Sequence, residues 1–176
     1  MLDTIITSKT RIKLLMKFFL NSDTTGYLRN LESEFSESTN AIRVELNRFE
    51  EAGLLHSRKF KNKKYYKANT KHPLFNDINS ILMKYTGLDQ IIERVLSKLG
   101  NLDKVYVTGD FARGINSALI DLVIVCENID RQYLNKLITK AENLIKRKIR
   151  YVIFNSIEFG EFSKNKSKSE LLLLWE

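Results

Sequence analysis

A single proline divides this chain of 176 residues. Pro73 has no amide proton to give and pushes His72 out of the helical region, so the helix-forming patterns on either side cannot run through it. The stretch from Asn69 to Pro73 is therefore the expected boundary between two units. With 43% apolar and 28% charged side chains, both halves can build real cores, and a disordered or fibrous chain is excluded. The expected organisation is residues 1–72, then helices over 73–99 that link the units or form a dimer seam, then residues 100–176.

The one cysteine, Cys126, cannot make an internal disulfide or a thiolate cage, which removes disulfide-stapled scaffolds and structural zinc ribbons. It ends an apolar strand pattern and reads as a small buried hydrophobe. The opening Met1 to Thr7 lacks the basic region and apolar core of a signal peptide, and no apolar run spans a membrane. A soluble, cytoplasmic protein is expected.

The positive charge is unevenly placed. Up to Lys71 there are 14 basic and 8 acidic residues, against 15 and 13 beyond it. Within the first half, Arg58, Lys59, Lys61, Lys63, Lys64 and Lys67 form a basic ribbon with no acidic residue among them, interleaved with Phe60, Tyr65 and Tyr66.

Ile12, Leu15, Met16 and Phe19 recur at helical spacing, with Arg11, Lys13 and Lys17 assigned to the surface. Asn21-Ser22-Asp23 ends this helix. A second is predicted from about Thr25 to Phe35, burying Leu28, Leu31 and Phe35. Hydroxyl caps at Ser36 and Ser38 favour a third from about Ser38 to Ala52, closed by Gly53. Its inward face is Ile42, Leu46 and Phe49. Thr39, Asn40, Arg43 and Asn47 lie towards the other face, and such side chains can reach base edges in a major groove. A strand from Leu54 to Arg58, a turn at Lys61-Asn62-Lys63-Lys64 and a strand from Tyr65 to Ala68 complete the order helix, helix, helix, hairpin.

Over residues 8 to 70 the chain resembles winged helix-turn-helix regulators of the ArsR-like kind. The resemblance rests on the Ser-Thr-Asn-Ala-Ile-Arg helix start, the ending Phe49-Glu50-Glu51-Ala52-Gly53-Leu54-Leu55, and the basic hairpin. It implies a recognition helix in the major groove, a wing on the backbone, and a homodimer that presents two such helices to double-stranded DNA. Thr39, Asn40, Arg43 and Asn47 would then face bases, and Arg58, Lys61, Lys63 and Lys64 would face phosphates. The competing view is a plain scaffold whose hairpin lysines solubilise it or discourage edge pairing. Metal sensing, common in that family, is not expected, because His56 and His72 stand in unlike contexts beside a lone cysteine.

In the second half, helical patterns fill Leu74 to Tyr85 and Leu88 to Leu99. A strand over Lys104–Thr108, another over Ile120–Val125, a helix from about Arg131 to Lys146 and a strand from Ile149 to Phe154 read as an α/β unit. Lys164 to Ser169 reads as an exposed loop. The string GDFARGINSALIDLVIV resembles the glycine-loop region of minimal nucleotidyltransferases, with the pattern Gly-Ser-x-Ala-x-Gly, then Ser-Asp-x-Asp-Leu and an apolar strand. That family holds divalent metal ions on paired carboxylates beside the loop.

Here the pattern is broken. Asp110 stands at the serine position, Leu119 replaces the first carboxylate, and the strand Lys148 to Phe154 carries no acid. Asp121 alone cannot assemble a two-metal clamp. Gly109, Asp110, Arg113, Gly114 and Asp121 are read as a remnant that either pairs Asp121 with Arg113 structurally or lines a small-ligand pocket.

The fold class expected is thus α+β, a winged helix-turn-helix followed by a small α/β nucleotidyltransferase-like domain. The expected function is a sequence-specific DNA-binding transcriptional regulator, not an enzyme, with no cofactor and no metal. Its second domain would serve dimerisation or sensing of an unknown small molecule or protein effector. Two alternatives stand beside it: an active nucleotidyltransferase, and an antitoxin-like protein-interaction module.

Overall fold

The computed structural model describes residues 2–176 and shows a mixed α+β chain with two separate sheets. Two compact units divide between Tyr85 and Thr86.

In the first unit, α1 (Leu2–Ile5) precedes α2 (Lys9–Leu15), whose start is capped by the Ser8 hydroxyl accepting from the Arg11 amide at 3.2 Å. The helix then widens into a π-helical segment, Met16–Leu20, in which all five side chains are buried. This widening shifts the phase of the helix and turns Lys17 inward, away from the surface position its spacing suggested. Lys17 is only 6% exposed, and its ammonium donates to both oxygens of Glu34 at 2.7 and 2.9 Å.

The second predicted helix is shorter than its pattern. Gly26–Tyr27 form a strand, β1, and the helix α3 covers Leu28–Phe35. Tyr66 lies opposite Gly26 across the sheet, and a Cβ on that glycine would meet Leu31 at 2.9 Å. The third helix, α4 (Thr39–Glu51), starts on Ser38, whose hydroxyl accepts from the Ala41 amide. It ends in a paired carbonyl cap: Gly53, at φ +72°, donates to Glu50 O, and Leu54 donates to Phe49 O, both at 2.9 Å. α4 packs on α2 and α3 through Ile42, Leu46 and Phe49, all buried.

The hairpin consists of β2 (Leu55–Phe60) and β3 (Lys63–Ala68), joined by Lys61 and Asn62 alone. Lys63 and Lys64 therefore belong to a strand, not to the turn. Lys61 takes φ +51° to close it, a conformation more usual for glycine. Strand β1 adds to β3, giving a three-stranded antiparallel sheet of order β1-β3-β2.

Helix α5 (Phe75–Thr86) groups mainly with this unit rather than standing as a separate linker. Phe75 lies 5.7 Å from Phe19, ring centre to ring centre, and the Asn79 amide donates to Phe19 O at 2.7 Å.

The second unit contains α6 (Leu88–Arg94), a short 3-10 turn at Leu96–Lys98, β4 (Lys104–Thr108), α7 (Gly109–Ala112), β5 (Leu119–Val125), α8 (Arg131–Ile145) and β6 (Lys148–Phe154). Helix α9 (Ser156–Ser163) and strand β7 (Leu172–Trp175), neither foreseen, flank a 3-10 turn at Lys168–Glu170. The sheet has order β6-β5-β4-β7 and is mixed: β5 and β6, joined through α8, run parallel, while β4 is antiparallel to both its neighbours. Its core holds Val105, Val107, Phe111, Ile120 and Ile124, each fully buried, and Cys126 is 1% exposed. No helix of the described residues is long and apolar enough to cross a membrane.

Candidate nucleic-acid interface

The outward positions of α4 follow from its 3.6-residue period. With Ile42, Leu46 and Phe49 committed to the core, Asn40, Arg43 and Asn47 are exposed, and Thr39 is half-buried at the first turn. Arg43 and Asn47 line an open groove of about 570 Å³ together with Tyr27, Arg29, Lys63 and Lys64. One helix and one hairpin thus present three cations, Arg43, Lys63 and Lys64, to a common space, and Arg29 in the first turn of α3 adds a fourth. Of the eight residues expected to meet DNA, the groove gathers Arg43, Asn47, Lys63 and Lys64. Thr39 and Asn40 sit towards the start of α4, and Arg58 and Lys61 lie outside the groove.

Strand alternation divides the basic ribbon between two faces. Ser57, Lys59, Lys64 and Tyr66 share one face; Arg58, Phe60, Lys63 and Tyr65 share the other. Lys59 and Lys64 stand directly opposite each other, an arrangement that repels unless a counter-charge intervenes. Glu50 supplies it. Its carboxylate accepts from Lys64 and from the Ser57 hydroxyl. The Lys64 hydrogen bond, helped by Ser57, holds the Glu50 carboxyl below its ordinary 4.5, and the same bond pushes the Lys64 ammonium above 10.5. Lys64 is therefore a partly neutralised cation, unlike its neighbours.

Among the described residues no acid lies within ion-pair distance of Lys63, whose ammonium rests 4.3 Å from the centre of the Tyr27 ring. Tyr27 in turn meets Tyr65 edge-on at 5.2 Å. Among the described residues no carboxylate lies within ion-pair distance of Arg29, Arg43, Arg58, Lys59 or Lys61. Arg29 escaped the sequence reading because it is isolated from the basic ribbon; only the pairing of β1 with β3 carries it to the groove.

The glycine-loop residues of the second unit are brought together differently from expectation. Gly109, at φ +65°, and Asp110 open the short helix α7, and Gly114, at φ +77°, follows its end. Arg113, which caps the end of α7, pairs with Asp110 at 2.9 Å, one turn back, and not with Asp121. Asp121 pairs instead with Arg150 at 2.7 Å, because the parallel register of β5 and β6 sets the two residues side by side. That pairing holds the Arg150 guanidinium above its usual range. Thr108, Gly109 and Arg113 line a cavity of about 290 Å³ with Phe162, Lys166 and Glu170. The described residues contain no cluster of three or more His, Cys, Asp or Glu side chains suited to a metal ion.

No protein-family model matches the sequence, and no curated protein matches it. Among solved structures, the chain is similar to reduced HlyU from Vibrio cholerae N16961. The two share 18% identity over 48% of this chain and 83% of that chain, with a TM-score of 0.37.

Proposed function

We propose that the chain is a sequence-specific, double-stranded-DNA-binding transcriptional regulator built on a winged helix-turn-helix. The observation that carries this reading is the groove in which the exposed face of α4 and the basic hairpin converge on the uncompensated cations Arg29, Arg43 and Lys63. In it, α3 and α4 form the helix-turn-helix, α4 enters the major groove, and the β2–β3 wing follows the backbone. Arg43, Asn40 and Asn47 reach base edges. Arg29, Arg58, Lys61 and Lys63 neutralise phosphates, so binding weakens steeply with salt.

A homodimer supplies two recognition helices in this reading, since one small unit offers little specific contact. The second unit is a nucleotidyltransferase-like fold without the reaction, serving dimerisation or sensing. Support for the lost chemistry comes from Asp121, whose carboxylate is engaged by the guanidinium of Arg150. Magnesium- and nucleotide-dependent labelling should accordingly be absent in the wild-type chain and in Asp121→Ala alike.

The deciding experiment measures binding of wild-type protein and Arg43→Ala to a duplex selected from a randomised pool and to an unselected duplex. The expected outcome is a loss of about 1–3 kcal/mol on the selected duplex with little change on the unselected one. Equal losses on both remove Arg43 from base recognition.

A further inference from the structure

The exposed positions of α4 are Asn40, Arg43, Val44, Asn47, Arg48 and Glu51, and Val44 is their one apolar member. It is 39% exposed. At about 100° per residue, Asn40, Val44 and Asn47 fall within about 60° of one another, with the buried Ile42, Leu46 and Phe49 on the opposite side. Val44 therefore sits near the middle of the outward arc, one turn after Asn40 and one turn before Asn47.

A β-branched residue here is not demanded by the core. Valine is a poorer helix former than alanine, and with 39% of its surface open it recovers only part of that cost by packing. Arg48 on one flank is drawn to Glu45 at 3.3 Å, and Glu51 lies two turns further along the helix. An apolar group held between two carboxamides matches one edge in the major groove. Only thymine among the four bases presents a methyl there, and the adenine paired with it presents the N6 and N7 pattern that an asparagine amide reads.

We propose that Val44 is a specificity-determining residue that seats on the C5-methyl of a thymine, flanked by Asn40 and Asn47 reading adenine. This deepens the DNA-binding reading above and rests on it. It makes A·T pairs the preferred content where the middle of α4 crosses the groove, and it adds to the contact of Arg43 a discrimination that comes from a methyl group.

The test uses a duplex selected by the full-length chain from a randomised double-stranded pool, resynthesised with each thymine replaced in turn by uracil, which removes only the methyl. Wild-type affinity should fall about fourfold at one or two positions, the loss expected for exposing one methyl-sized apolar contact. In Val44→Ala the same uracil substitutions should change affinity by less than about 1.5-fold, because the variant no longer reaches the methyl. Since alanine is the better helix former at an exposed site, this variant should fold. An enriched duplex indifferent to every uracil, or one whose sensitivity persists in Val44→Ala, overturns the Val44 assignment alone. A pool that yields no enriched duplex overturns the DNA reading and the assignment with it.

Discussion

Arg11 grips the buried carboxylate of Glu45 with two N–H donors, Nε at 2.9 Å and Nη2 at 3.1 Å. The pair ties α2 to the side of α4 that faces the core. Ser8, the cap of α2, adds its hydroxyl at 3.3 Å. Removing the acid in Glu45→Ala strands a guanidinium that is 37% exposed and can turn to water, so the loss falls short of a fully buried pair. The expected cost is about 1–2 kcal/mol. Thermal unfolding should show the first transition lower by roughly 5–10 °C, with Glu45→Gln intermediate.

The link between the wing and α4 has a defined pH window. Glu50 titrates below its ordinary 4.5, so its contribution is present above that value and disappears as pH falls through the lowered one. Lys64 titrates above 10.5, so its contribution is intact below that value and disappears as pH rises through the raised one. Protection factors of the β3 amides should therefore be high across neutral pH and fall at the acid end. In Glu50→Gln the acid-end fall should be absent, with lower protection already at pH 7.

In the proposed DNA-binding reading, two adjacent lysines should differ in their effect. Lys63→Ala removes an uncompensated charge and should reduce the slope of log affinity against log salt by about 1. Lys64→Ala removes a charge already answered by Glu50 and should reduce it by less. Equal slopes for the two variants would show that Lys64 leaves Glu50 for phosphate.

The same substitution at two glycines should act in opposite directions. At Gly109, φ is +65° and an added Cβ would lie 2.8 Å from Oδ2 of Asp121, so Gly109→Ala should cost about 1–3 kcal/mol. At Gly160, within α9, an added Cβ meets nothing within 4 Å. Gly160→Ala should stabilise the chain by about 0.5–1 kcal/mol. Denaturant unfolding of both variants reads the sign directly.

What could be read in advance follows the range of the interactions involved. Ser38, Gly53 and the two faces of α4 were legible because capping and helical period act within a few residues. Strand β1 was not, since Gly26 and Tyr27 become a strand only by meeting Tyr66 and Tyr65 far along the chain. The partner of Asp121 was missed for a similar reason: sequence offers Arg113 nearby, whereas register between β5 and β6 delivers Arg150. Lys17 misled because a π-helical turn leaves no mark in composition. Helix α9 buries no residue, so its pattern carried no signal of a core. The candidate interface was half visible: the ribbon announced itself by charge, while Arg29 and Val44 acquired meaning only from where the fold sets them.

The short pairing of β1 with β3 gives the first unit the form of a caliper. Its lower jaw is α4 and its upper jaw is the hairpin, and β1 and Glu50 brace the hinge at two points. In the proposed DNA-binding reading, such a tool would measure a duplex by whether it fits. In the proposed homodimer, control would then come from moving the two calipers apart or together.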